Sequence, residues 1–182
     1  MISISVIFWI FILLFALVGS MRSWSKELLV VFSIILALFI IQVIQTYVGP
    51  VSRILSSANP SGQFCLWSLL IIIFAMFGYH VPTVHKLAGV KLNTSRDRLQ
   101  DWLLGAILGA CNGYLIVGTI WSYLHMAGYP FAESYMIPPK PGTPAGDAAL
   151  KLITWLPPAW LGVPEIYFAV AIAFAIIVIV FI

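Results

Sequence analysis

Charged residues are missing from five long stretches of this chain, and this spacing restricts the fold more than any other feature. Asp, Glu, Lys and Arg are absent from residues 1–21, 28–52, 54–85, 102–132 and 166–182. An α-helix needs about 20 apolar residues to cross the roughly 30 Å hydrocarbon core of a bilayer. Only 8% of the 182 residues are charged, whereas a soluble domain carries about a quarter. The sequence therefore predicts a polytopic membrane protein, and it excludes a disordered chain, a disulfide-rich secreted domain and a nucleic-acid binder.

The apolar runs predict an all-α transmembrane helix bundle with about five spans. We place the spans near residues 2–20, 28–48, 64–81, 102–127 and 165–182. Short interfacial helices are expected in the loop before residue 64 and again at residues 147–156. The chain then divides into a four-helix membrane region (1–127), a proline-rich loop (128–164) and a C-terminal helix (165–182). Tryptophans near the span ends, among them Trp67 and Trp121, are expected to be interfacial anchors.

Basic residues in the loops predict the orientation in the membrane. The loops after the first and third spans carry six of the nine basic residues, namely Arg22, Lys26, Lys86, Lys91, Arg96 and Arg98. The opposite side carries Arg53, Lys140 and Lys151. Because cytoplasmic loops are enriched in Lys and Arg, we expect the N-terminus outside and the C-terminus in the cytoplasm.

A stripe of small residues marks one face of the fourth span. Gly105, Gly109 and Gly113 are spaced by four, and Ala106 and Ala110 lie beside them. Small residues let a second helix approach closely, which is a main route to helix association in lipid. The stripe therefore predicts close packing, either against a helix of the same chain or against another subunit or copy. At Gly109, the centre of the stripe, substitution by alanine is expected to be better tolerated than substitution by leucine.

Few polar or titratable residues fall inside the predicted spans. The amides are Gln42, Gln45 and Asn112, for which we expect interhelical hydrogen bonds, with a substrate or ion contact as the alternative. Every acid near a span (Glu27, Asp101 and Glu165) lies at a predicted helix end, so a proton relay is not expected. Cys65 and Cys111 are expected to be small buried apolar residues that do not pair.

No catalytic or metal-binding pattern is present. His80, His85 and His125 do not cluster, and the sequence has no serine-histidine-aspartate arrangement, phosphate loop or nucleophile motif. We therefore predict a protein that is not an enzyme and has no cofactor. Within a larger pigment-bearing complex, one histidine could ligate a tetrapyrrole.

Two stretches resemble the colicin V production protein (CvpA-like) family. Gly19-Ser20-Met21-Arg22-Ser23, followed by Lys26-Glu27-Leu28-Leu29, is similar to the family's first hairpin, Gly-x-x-Arg-Gly with a following Glu. Residues 101–113 are similar to its Asp-x-Leu-Leu-Gly-x-x-x-Gly-x-x-x-Gly helix start. The resemblance covers roughly residues 1–127. Ser23 replaces the second hairpin glycine, and Asn112 stands where the family often has Lys or Arg.

The resemblance implies a non-enzymatic inner-membrane protein connected with export, envelope integrity or biofilm traits. With the composition, it favours a non-catalytic scaffold or accessory subunit that docks on other membrane subunits, or on copies of itself, through small-residue helix faces. One alternative is an oligomeric transport or channel component. Another is an auxiliary subunit of a respiratory or photosynthetic complex that contacts pigment or quinone.

Overall fold

The computed structural model describes residues 3–49, 59–80, 95–130 and 138–181, and these residues form the predicted all-α membrane helix bundle. The helices are α1 (Ile4–Met21), α2 (Trp24–Tyr47), α3 (Pro60–His80), α4 (Ser95–Met126), α5 (Pro144–Ile153), α6 (Pro157–Trp160) and α7 (Glu165–Phe181). Four of them, α1 to α4, are long and apolar enough to cross a membrane. The fifth predicted span is α7, a shorter apolar helix of 17 residues.

Proline and a side-chain cap fix the starts of two helices. Pro60 is the first residue of α3, where a missing N–H costs nothing, and the Asn59 side chain accepts from the Ser61 N–H at 3.3 Å. Thr143 caps α5 by accepting from the Gly146 N–H at 3.1 Å, and Pro144 follows it. The interfacial helix expected at 147–156 is therefore α5, shifted by three residues. The short helix expected before residue 60 lies outside the described residues.

α4 lies at the centre of the bundle. It contacts α1, α2, α3 and α6, while α2 packs also on α3 and on α7. The main apolar core lies between α2, α3 and α4 and includes Val30, Ile34, Ile41, Ile71, Ala75, Leu115 and Ile116. A second core joins α1 to the end of α4 and to the segment after α5, and includes Ile4, Phe8, Trp121, Leu124 and Leu156.

The predicted glycine stripe lies against α1, and the two backbones touch there. A Cβ added at Gly109 would overlap the Phe15 carbonyl oxygen and lie 2.9 Å from the Cα of Gly19. At Gly105 it would overlap the Gly19 carbonyl oxygen, and at Gly113 it would lie 2.8 Å from the Phe15 Cβ. Real Cβ atoms do not approach other atoms this closely. Glycine is therefore required at these positions for α1 and α4 to be in contact.

Of the two partners considered for the stripe, the structure shows the one within the chain. α1 occupies the face of Gly105, Gly109 and Gly113, and Ala106 and Ala110 beside it are half-buried. α1 contributes Gly19 to the same contact, so small residues come from both helices. While α1 is in place, no other subunit can reach this stripe.

The outer surface of the bundle is apolar along several helices. Exposed side chains include Leu13 and Leu17 on α1, Leu69 and Phe77 on α3, and Ile172 on α7. Apolar side chains that face lipid incur no desolvation cost, so their exposure needs no covering protein.

The burial expected for the two cysteines is wrong, and two tryptophans that were expected to be interfacial anchors are buried. Cys65 and Cys111 are both exposed on the bundle surface. Conversely, Trp67 and Trp121 are 6% and 2% exposed and belong to the two cores. Lipid and protein interior are similarly apolar, and hydrophobicity alone therefore cannot separate them.

We expect the substitution Gly109→Leu to destabilise the protein strongly, because the new side chain must displace the backbone of α1. Gly109→Ala should also lower the stability, by about 1–3 kcal/mol, since its Cβ already overlaps Phe15. Thermal unfolding in mild detergent measures both effects. Gly62→Ala is the matched control, because no atom lies within 4 Å of a Cβ at that position. A Gly109→Leu protein with unchanged thermal stability but a lower native mass would instead place a second subunit on the stripe.

Candidate functional site

The charged residues of the α1–α2 turn form a buried polar cluster with residues of α3 and α4. We call Arg22, Glu27, Tyr79 and Asn112 the hairpin cluster. Arg22 ends α1, and its N–H donates to the Gly19 carbonyl at 3.1 Å. Glu27 lies in the first turn of α2. Tyr79 belongs to the last turn of α3, and Asn112 lies midway along α4. The cluster therefore joins four helices at the end of the bundle where α1 turns into α2.

Glu27 and Asn112 form the buried centre of this cluster, and both side chains are 0% exposed. The Asn112 Nδ2 donates to the Glu27 Oε2 at 2.8 Å and to the Glu27 carbonyl oxygen at 3.1 Å. The Tyr79 hydroxyl approaches the same Oε2 at 3.5 Å. The interhelical bond expected for Asn112 is therefore present, and its partner is a carboxylate on α2.

Arg22 supplies the positive charge that balances Glu27. Its Nη1 lies 3.4 Å from the Glu27 Oε1, and its Nη2 donates to the Tyr79 carbonyl oxygen at 3.2 Å. The guanidinium also lies over the Tyr79 ring, 4.6 Å from the ring centre. Arg22 is 26% exposed, so it links the buried carboxylate to the bundle surface. A buried charge is tolerated only when it is paired and hydrogen-bonded, and these contacts meet that condition.

Glu27 lies at a helix end as expected, in the first turn of α2, which begins at Trp24 and not at residue 28. Its side chain is nevertheless fully buried and faces α4, which the sequence did not predict. Asp101 also lies within a helix, because α4 begins at Ser95.

Asp101 acts on a helix other than its own. Its Oδ1 accepts from the Trp24 N–H at 3.1 Å and from the Ser23 hydroxyl at 3.2 Å. The side chain of Ser23, the N-cap residue of α2, does not cap its own helix. Asp101 therefore satisfies one of the free N–H groups at the start of α2 and places a negative charge at the positive end of the helix dipole.

The remaining residues predicted for the site are dispersed. Arg98 is exposed and Lys26 is half-buried at the start of α2. Lys86 and Lys91, together with the side chain of Arg96, lie outside the described residues. Gln42 and Gln45 lie near the opposite end of α2 and line a separate cavity. Of the basic residues assigned to the cytoplasmic side, Arg22 alone is observed in the cluster.

The contacts of the hairpin cluster hold the four helices together. Among the described residues there is no group of three or more His, Cys, Asp or Glu side chains that could hold a metal ion. The Asn112 Oδ1 is buried without a hydrogen-bond donor in the described part of the chain. Sequence reasoning missed Tyr79, whose ring and carbonyl contact Arg22. The aromatic residue at the end of the third apolar run was the available signal.

We expect Asn112→Asp to destabilise the fold, by about 3–5 kcal/mol, because it replaces a donor with a second acceptor beside the Glu27 carboxylate. The double variant Glu27→Gln with Asn112→Asp restores one amide and one carboxylate at the contact. It should recover much of the lost stability. Thermal unfolding of the two single variants and the double variant measures the coupling. Additive effects would contradict a direct Glu27–Asn112 bond.

Comparison with known proteins places this architecture in a family. No curated protein and no solved structure matches the chain. The family model described as colicin V production protein matches residues 4–138, a stretch that contains α1 to α4 and every residue of the hairpin cluster. It covers more than half of the chain. The protein therefore belongs to the colicin V production protein family of membrane proteins.

Proposed function

We propose that this protein is a non-catalytic scaffold or accessory subunit of the bacterial cytoplasmic membrane. Membership of the colicin V production family supports a membrane protein involved in colicin V production. The observation that carries the scaffold role is the hairpin cluster. Arg22, Glu27 and Asn112 each bond to another group of the same chain. These bonds hold four helices in place.

The docking surface of such a subunit is not the glycine stripe, because α1 covers it. The exposed apolar faces of α3 and α7 are the surfaces that another membrane subunit or a second copy would contact. On α7 these side chains include Phe168, Ile172 and Ile179. α7 packs on α2 and leaves this face open. Docking there would add a helix to the bundle without disturbing its core.

An oligomeric transport component is the second candidate, and Glu27 is the observation that favours it. Acids enclosed within membrane spans often carry protons in transporters and pumps. Glu27 is fully buried, and its Oε1 lies 3.4 Å from the Arg22 Nη1 without accepting a hydrogen bond from a described residue. The scaffold role requires Glu27 for stability alone, whereas the transport role requires it for turnover.

Purified protein in sealed vesicles distinguishes the two candidates. We expect no proton-coupled flux above that of empty vesicles, and no change with Glu27→Gln. Native mass spectrometry of protein extracted directly from its membrane should show a mass above that of one chain. Glu165→Gln is the matched control, because that acid is exposed at the start of α7. A flux that a folded Glu27→Gln variant abolishes, and Glu165→Gln does not, would establish transport in place of the scaffold role.

The orientation that we propose places the α1–α2 turn in the cytoplasm and the α5 segment outside. In a Cys65→Ala, Cys111→Ala background, Met21→Cys should be protected from an impermeant thiol reagent added to intact cells. Ala145→Cys should react. Both positions are exposed, so a difference in labelling reports the side of the membrane. Labelling of Met21→Cys alone would reverse the orientation.

A further inference from the structure

A second polar region lies at the end of the bundle opposite to the hairpin cluster. There the C-terminal ends of α2 and α4, the first two turns of α3 and Pro158 of α6 enclose a partly open cavity of about 260 Å³. Gln42, Gln45 and Gln63 line it, together with Trp67 and Tyr123. Three amides, one phenol and one indole therefore converge on a single space. We call it the glutamine cavity.

Two of these amides and the phenol are not used to hold the helices together. Gln42, Gln45 and the Tyr123 hydroxyl make no hydrogen bond to another described residue. The interhelical bonds expected for the two glutamines are therefore not observed. Amides close to hydrocarbon are costly unless they find a partner. Because these groups border an open cavity, their partner can be a bound molecule.

The chemistry of the lining limits what can bind. None of the described side chains that line the cavity belongs to Asp, Glu, Lys, Arg or His. Each glutamine amide both donates and accepts, and the Tyr123 hydroxyl does the same. Hydroxyl groups match this pattern, since they also donate and accept without a charge. Trp67 adds an apolar aromatic wall, and ligand sites commonly combine apolar walls with a few polar groups.

We propose that the glutamine cavity binds an uncharged, hydroxyl-rich group, such as the sugar headgroup of a membrane lipid or a free sugar. The volume is slightly below that of sites for drug-sized molecules, so it suits one headgroup-sized unit. The cavity lies at the ends of three long apolar helices, where lipid headgroups are found. This proposal does not depend on the scaffold role of the bundle.

The test uses the full chain purified in a polyoxyethylene detergent, since a sugar detergent would compete for the cavity. Native mass spectrometry is used to titrate monoglucosyl-diacylglycerol, phosphatidylglycerol and free glucose. We expect saturable binding of the glucolipid and none of the anionic lipid. If free glucose also binds, the sugar alone is sufficient for binding. If free glucose does not bind, the site recognises the sugar as part of a lipid.

Gln42→Leu with Gln45→Leu should weaken this binding about tenfold, because two hydrogen-bonding groups are lost. The double variant should unfold at the wild-type temperature or above it, since neither amide bonds to the described protein. Met126→Leu, which alters the lining without removing a polar group, should bind as the wild type does. Three results would overturn the proposal. Glucolipid and glucose could bind without saturation, phosphatidylglycerol could bind as well as the glucolipid, or the double variant could bind as the wild type does.

Discussion

The backbone contact between α1 and α4 is the constraint on which the rest of the structure depends. Gly19 on one helix meets Gly105 and Gly109 on the other at distances that exclude any side chain. In lipid, the hydrophobic effect does not drive helices together. Close packing of the helices supplies the attraction instead. The contact ends at Arg22, whose carbonyl oxygen lies 2.9 Å from a Cβ built at Gly105. It therefore fixes where the α1–α2 turn lies along α4.

The position of the α1–α2 turn determines where the polar groups at the start of α2 meet α4. Asp101 accepts from the first N–H group of α2, that of Trp24, and Asn112 donates to Glu27 about one turn further along that helix. The start of α2 is thus attached to α4 at two levels, by a cap and by a buried hydrogen bond. Polar contacts of this kind specify one register, whereas apolar faces alone permit several. Glycine packing and polar pairing therefore support the same arrangement.

The sequence predicted the elements of this structure better than their partners. Charge-free runs located the long helices, and the spacing of Gly105, Gly109 and Gly113 identified a close-packing face. Periodicity cannot tell which helix covers such a face, so both another helix of the chain and a second subunit or copy were candidates. Glu27 was expected at a helix end and lies in the first turn of α2, but the apolar pattern did not show that its side chain is buried against α4. In a membrane, apolar residues occupy core and surface alike, and burial of Trp67 or exposure of Cys111 cannot be derived from hydrophobicity.

The charge balance of the hairpin cluster explains why a neutral amide suits position 112. In this chain, Arg22 already pairs with Glu27, so a second cation would leave net positive charge in a site where Glu27 is fully buried. Asn112 instead donates a hydrogen bond to the carboxylate and leaves the pair neutral. A neutral, bonded group of this kind favours a fixed helix junction over a site that gains and loses charge.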